Sequence, residues 1–134
     1  MLLDDCKVTF EAPTATGTTT IDSAAYDCAS FDGICFIVRL GTPAGNNNIR
    51  GRQDVASGGA FADLQGTLVN DAAKNQHMLD LYRPGKQFVR CRVTRGTSTT
   101  IDGIVVVQYK ARRKPVTQPT SVSELWVQPP EGTA

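Results

Sequence analysis

One histidine, His77, is the whole imidazole supply of this 134-residue chain, and that restricts the chemistry open to it. A Ser-His-Asp triad must recruit that residue, and no Gly-x-Ser-x-Gly elbow is present: Ala56-Ser57-Gly58-Gly59 reads as a turn. A zinc or cupin-type metal centre needs several histidines or acids converging on one cavity. A lone histidine in a β-rich stretch is expected instead as a solvated or hydrogen-bonded residue at a strand edge. Arg83-Pro84-Gly85-Lys86-Gln87 contains Gly-Lys but lacks the upstream glycine and following Ser/Thr of a phosphate loop. It reads as a hairpin. Asp4 and Asp5 are adjacent, so on a strand they point to opposite faces and cannot share a proton. The expectation is a protein without catalytic residues, metal or cofactor.

The basic residues are the most informative polar feature. The net charge of +1 conceals an asymmetry, because residues 1–75 carry a balance of −4 and residues 76–134 a balance of +5. Arg90 and Arg92 alternate with Val89, Cys91 and Val93, so they leave their strand on the opposite face. With Arg83, Lys86, Arg95 and the run Lys110 to Lys114, which includes Arg112 and Arg113, they are expected to form one positive region. Such a region is either a solvated face or a docking surface for an acidic protein. Nucleic acid is disfavoured, since single-strand binders interleave cations with aromatic stacking platforms and aromatics are only 7% here. Trp126, the only tryptophan, reads as a core or interface anchor and joins the candidate partner-binding residues.

These side chains must be positioned by strands. At 40% hydrophobic and 20% charged the chain is globular, and its length suits one domain. No apolar run approaches a membrane span, and Asp4 and Asp5 stand where a secretory leader would be positive, so the protein is expected to stay where it is made. The cysteines Cys6, Cys28, Cys35 and Cys91 form no C-x-x-C pair, and free thiols are expected, with Cys35 and Cys91 as small buried hydrophobes.

Short apolar runs punctuated by Gly, Pro, Asn, Asp and Thr recur every ten to twelve residues or so. Strands are expected at Cys6–Phe10, within Thr18–Cys28 with Ile21 and Tyr26 as anchors, at Ile34–Leu40, Ile49–Val55, His77–Arg83, Phe88–Arg95 and Ile101–Lys110. Phe61 to Val69 is half-buried, residues 70–76 are the one place for a short helix, and Val122–Gln128 reads as a last strand before Pro129-Pro130. Ile34–Leu40, led by the unbroken run Ile34–Val38, and Ile104–Val107 are apolar on both faces, which predicts central strands buried on both sides. The fold class is all-β, an antiparallel two-sheet β-sandwich in a jelly-roll arrangement. Residues 1–114 form its core, and residues 115–134 a Pro-bounded segment that either belongs to the same domain or serves as an assembly arm.

A family resemblance adds to this reading. Leu79-Asp80-Leu81-Tyr82-Arg83-Pro84, Phe88-Val89-Arg90-Cys91, Asp102-Gly103-Ile104-Val105 with Gln108-Tyr109, and the ending Ser123-Glu124-Leu125 with Pro130-Glu131-Gly132-Thr133-Ala134 together resemble small head proteins of tailed phages. Ala60-Phe61-Ala62-Asp63-Leu64 and Gly66-Thr67 fit the same pattern. The resemblance implies a capsid cement or decoration protein of a double-stranded DNA phage. It would be made in the bacterial cytoplasm and added to the outside of the head, with the major capsid protein and a second copy of itself, as a homodimer, for partners. No catalytic residue comes with the family. A head–tail connector or tail component, and a carbohydrate-binding module on the virion surface, are the other functions weighed.

Overall fold

The computed structural model describes residues 2–125, so Trp126, and the part of the expected last strand beyond Leu125, lie outside the described residues. A four-residue helical turn, α1 (Leu2–Asp5), leads into β1 (Lys7–Glu11), β2 (Thr14–Gly17), β3 (Ile21–Asp22), β4 (Tyr26–Asp27) and β5 (Phe31–Leu40). Then follow β6 (Asn47–Asp54), β7 (Ala62–Asp63), β8 (Gln76–Tyr82), β9 (Phe88–Arg95) and β10 (Thr99–Ala111). The strands build two antiparallel sheets. Sheet A has the order β1-β10-β5-β8 with β2 also on β10, and sheet B the order β3-β9-β6-β7 with β4 also on β9.

Pro13 has no backbone N–H to continue a ladder, so it falls between β1 and β2, which lie along the same edge of β10. β3 and β4 likewise share β9. Treating each pair as one interrupted strand gives strand orders 1-8-3-6 and 2-7-4-5. First pairs with last, second with seventh, third with sixth and fourth with fifth: one long folded hairpin wrapped into two sheets. This is the jelly-roll arrangement.

Between the sheets, Ile34, Phe36, Val38 and Leu40 of β5 meet Ile49 of β6 and Val89, Cys91 and Val93 of β9, all inaccessible to solvent. Ile101, Ile104 and Val106 of β10 complete this core with Leu79 and Tyr26. Period-2 alternation places these residues inward and sends Cys35, Ile37, Val105 and Val107 outward.

That outward set corrects the expectation of strands buried on both faces. β5 and β10 are central, but the outer face of sheet A is uncovered among the described residues, and its apolar side chains are half-buried only by one another. Cys35 is accordingly half-buried, whereas Cys6, Cys28 and Cys91 are buried; all four thiols are free. Burial pushes Cys28 and Cys91 up to about 12. His77 is corrected too. Its position on β8 points inward beside Leu79, it is buried, and its Nε2 has no hydrogen-bond partner among the described residues. Burial holds its pKa below the usual histidine value, partly offset by Asp71.

Smaller differences are local. The loop expected at residues 12–17 contributes β2 to an edge, pairing Gly17 with Thr99 and Thr14 with Ile101 of β10. Residues 70–75 form turns rather than a helix, with Asp71 accepting from Ala73 N at 2.9 Å in place of a cap, and Gln76 already begins β8. Val122 to Leu125 is not strand. The described start of the proline-bounded segment is tied to the domain by Gln118, a buried side chain whose Oε1 accepts from Val8 N at 2.9 Å. Its Nε2 donates to Leu3 O at 3.1 Å and Cys6 O at 2.6 Å. Among the described residues no helix is long and apolar enough to cross a membrane.

Candidate functional site

The outer face of sheet B carries the densest charge cluster. On β9 the inward residues are Val89, Cys91 and Val93, so Arg90 and Arg92 face out; on β6 the inward Ile49 and Gly51 leave Arg50 and Arg52 facing out. The antiparallel register sets Arg50 opposite Arg92 and Arg52 opposite Arg90. Two arginine pairs thus sit side by side in a block of four. Like charges directly opposite across a ladder are destabilising, so the block requires counter-charges.

Two carboxylates supply them from the flanking strands. Asp22 on β3 receives Arg92 Nε at 2.7 Å and Arg92 Nη2 at 2.8 Å, with Arg90 Nη2 at 3.3 Å. Asp63 on β7 receives Arg52 Nε at 2.7 Å and Arg50 Nη1 at 3.0 Å. Hydrogen bonding from Arg92, with the Arg90 charge beside it, holds the Asp22 carboxyl below the usual carboxylate range despite partial burial. Phe61, buried at the margin, takes the Arg90 guanidinium over its ring at 4.1 Å. Its carbonyl accepts from Arg52 Nη2.

Four guanidiniums against two carboxylates leave this block at +2, with Arg92 fixed by a bidentate contact and each carboxylate bridging two arginines. Arg90 Nε and Arg50 Nε are closed off without hydrogen-bond partners. The face therefore carries a desolvation cost that a plain solvated face does not. Chemically it suits a rigid array of anionic acceptors.

The remaining expected residues do not join this block. Arg83 and Arg112 lie with Lys86 at one end of the sandwich, around a cleft of about 410 Å³. Asp32 pairs there with Arg112 at 3.3 Å and Arg83 at 3.9 Å. Both arginine side chains are more than half exposed, so these pairs are weak. Lys114 turns to Asp5 at 3.1 Å, and Arg113 is exposed in the connection after β10. Lys110 stacks its Nζ over Tyr82 at 4.9 Å.

Arg95 leaves the positive region altogether. It is buried, donating to Thr19 O, Ala15 O and Thr99 O at 2.8 to 2.9 Å, and so it pins the chain between β2 and β3. The single positive region expected from sequence is thus two separate surfaces and one structural arginine. Arg50 and Arg52 were not singled out from sequence. Their signal was an Arg-x-Arg spacing matching Arg90-x-Arg92, which on two strands gives one shared face.

Among the described residues no three His, Cys, Asp or Glu side chains are grouped to hold a metal ion. The fold defines the class: an antiparallel jelly roll bearing an arginine block on one outer face and an apolar field on the other. No protein-family model matches the chain, and no curated protein matches it. Among solved structures it is similar to the SPBc2 prophage-derived protein YomS, at 13% identity over 81% of this chain and 97% of that one, with a TM-score of 0.49. It is also similar to FLHE, at 9% identity over 79% of this chain and 95% of that one, with a TM-score of 0.39. The functional reading rests on the chain's own residues.

Proposed function

We propose that this chain is a non-enzymatic structural protein of a tailed-phage virion that binds the outside of the head and ties neighbouring capsomers together. The observation that carries the docking part is the arginine block Arg50, Arg52, Arg90 and Arg92, charged +2 after its two carboxylates, with Arg92 held bidentately by Asp22 and the other three by single ion pairs. The partner is the major capsid protein, met through acidic residues on the shell's outer surface. The jelly roll supports the role, because a module repeated over a lattice must present the same rigid surface at every copy. The resemblance of Leu79 to Pro84, Phe88 to Cys91 and Asp102 to Val105 to small phage head proteins supports the setting.

The test has two parts. Quantitative mass spectrometry of purified virions should give a copy number comparable to the shell subunit; a ring's worth of copies would assign the chain to a connector or tail instead. Binding of the purified protein to heads lacking it should then weaken steeply with salt. It should be lost in Arg50→Ser with Arg92→Ser and unaffected by Arg112→Glu with Arg113→Glu. Salt-independent binding that survives the first pair defeats the electrostatic reading.

A further inference from the structure

We infer that the outer face of sheet A is the surface on which a second copy of this chain docks, giving a two-fold dimer through packed sheets. The register lines up outward side chains in rows across the sheet. Met78, Ile37, Val105 and Phe10 form one row over all four strands. The next row is Asp80, Cys35, Val107 and Val8. Phe10 is 62% exposed and Met78 67% exposed, at opposite edges of the sheet. A contiguous apolar field of this kind, rimmed by polar groups, is the mark of an interaction surface rather than of scattered exposed residues.

Three observations select a second copy as the occupant. The first is area. Four strands about 4.8 Å apart and some 26 Å of β5 enclose roughly 500 Å² in projection. Counted on both partners that is about 1,000 Å², the total a specific interface needs. The second is charge. Arg39 pairs with Asp102 at 3.5 Å, Asp80 accepts from the Tyr109 hydroxyl at 2.6 Å, and Lys110 stands over Tyr82. These charges cancel within the face, so it meets its own copy without repulsion. The arginine block at +2 on the opposite sheet cannot do so. The third is shape. Gly103 has no side chain, and open space stands where its Cβ would be, in a dent of about 260 Å³ bordered by Ile37 and Val105 on one side and by Arg39, Gln76 and Asp102 on the other. Phe10 and Met78 project from the same face, so one surface carries both knobs and hole, which an isologous interface requires.

The inference does not depend on head binding, because the purified full chain alone tests it. Sedimentation at about 10 µM should give twice the 14.4 kDa chain mass. Phe10→Lys with Met78→Lys, both at exposed positions, should keep a cooperative melt while weakening self-association by about 100-fold. Alkylation of Cys35, which lies in the middle of the face, should slow as protein concentration rises in the wild type and not in the double variant. Arg50→Ser with Arg92→Ser on the other sheet should leave the dimer intact. A monomer at about 100 µM overturns the inference, as does a dimer that survives the double lysine variant. A full chain that stays monomeric while the chain lacking residues 122–134 dimerises also overturns it, and gives the face to the chain's own tail.

Discussion

Asp22→Asn separates a functional arginine block from a merely structural one, because the two readings assign it opposite signs on binding. The substitution keeps the side-chain shape and one acceptor oxygen while removing the charge that receives Arg92 at 2.7 and 2.8 Å and Arg90 at 3.3 Å. A charge pair at about 4 Å is worth about 4 kcal/mol at an effective dielectric of 20 and about 1 kcal/mol in bulk water. The side chains involved are 22–28% exposed, and screening and retained hydrogen bonding reduce the loss to about 1–2 kcal/mol. At about 2.1 cal/mol/K per residue that lowers the melting temperature by about 4–7 °C.

The pH dependence follows from the depressed carboxyl of Asp22. A group whose pKa is lower folded than unfolded stabilises the fold fully above its unfolded value of about 3.9 and ceases to do so as pH falls through its folded value. The gap between wild type and Asp22→Asn should therefore close below about pH 4. Removing the charge also raises the block from +2 to +3. Affinity for heads should thus rise a few fold at low ionic strength, and the gain should vanish near 1 M salt, where the Debye length is about 3 Å. Melts by circular dichroism and co-sedimentation with heads across a salt series measure both quantities. A variant of lower stability and lower affinity, with no salt dependence, would refute docking through this face.

Three further outcomes are expected. Stability should decline as pH falls from about 7 to about 5, because His77 is buried with a lowered pKa and the unfolded chain takes up its proton first; urea midpoints should show that this component disappears in His77→Gln. Gln118→Ala strands Val8 N, Leu3 O and the buried Cys6 O, at about 1–3 kcal/mol for each group left enclosed, so a chemical denaturation midpoint unchanged from wild type would detach the proline-bounded segment from the core. Val106→Asp places a carboxylate at a position of zero exposure among Phe36 and its neighbours, and expression should yield no folded protein by one-dimensional NMR.

How much of the fold was legible depended on how local its cause was. Strands such as Phe88–Arg95 and His77–Arg83 announce themselves by alternation, and Pro84-Gly85 by turn chemistry. In Phe88–Arg95 the side-chain directions followed, Val89, Cys91 and Val93 inward and Arg90 and Arg92 outward. Alternation cannot tell whether an outward apolar residue is covered. Cys35, Ile37, Val105 and Val107 read as doubly buried only because composition carries no record of what lies above a sheet. His77 failed in the reverse direction: its polarity suggested solvent, but the period of β8 set it on the inner face with Leu79. Arg95 failed for the same reason, alternating with Val93 into the interior, where the carbonyls of Ala15, Thr19 and Thr99 satisfy it.

The candidate site shows the same division. The sequence alone determined that the chain is all-β, that its cysteines are not paired locally, and that Arg90 and Arg92 leave the core face. These depend on side-chain period and local backbone preference, which act over a few residues. Only the tertiary structure decided that Arg50 lies opposite Arg92 and Arg52 opposite Arg90, that Asp22 and Asp63 close the block from two other strands, and that Arg83 and Arg112 belong to a different surface. Those facts depend on strand order and register, fixed by how the wrapped hairpin buries its whole apolar set at once, and no stretch of ten residues contains that information.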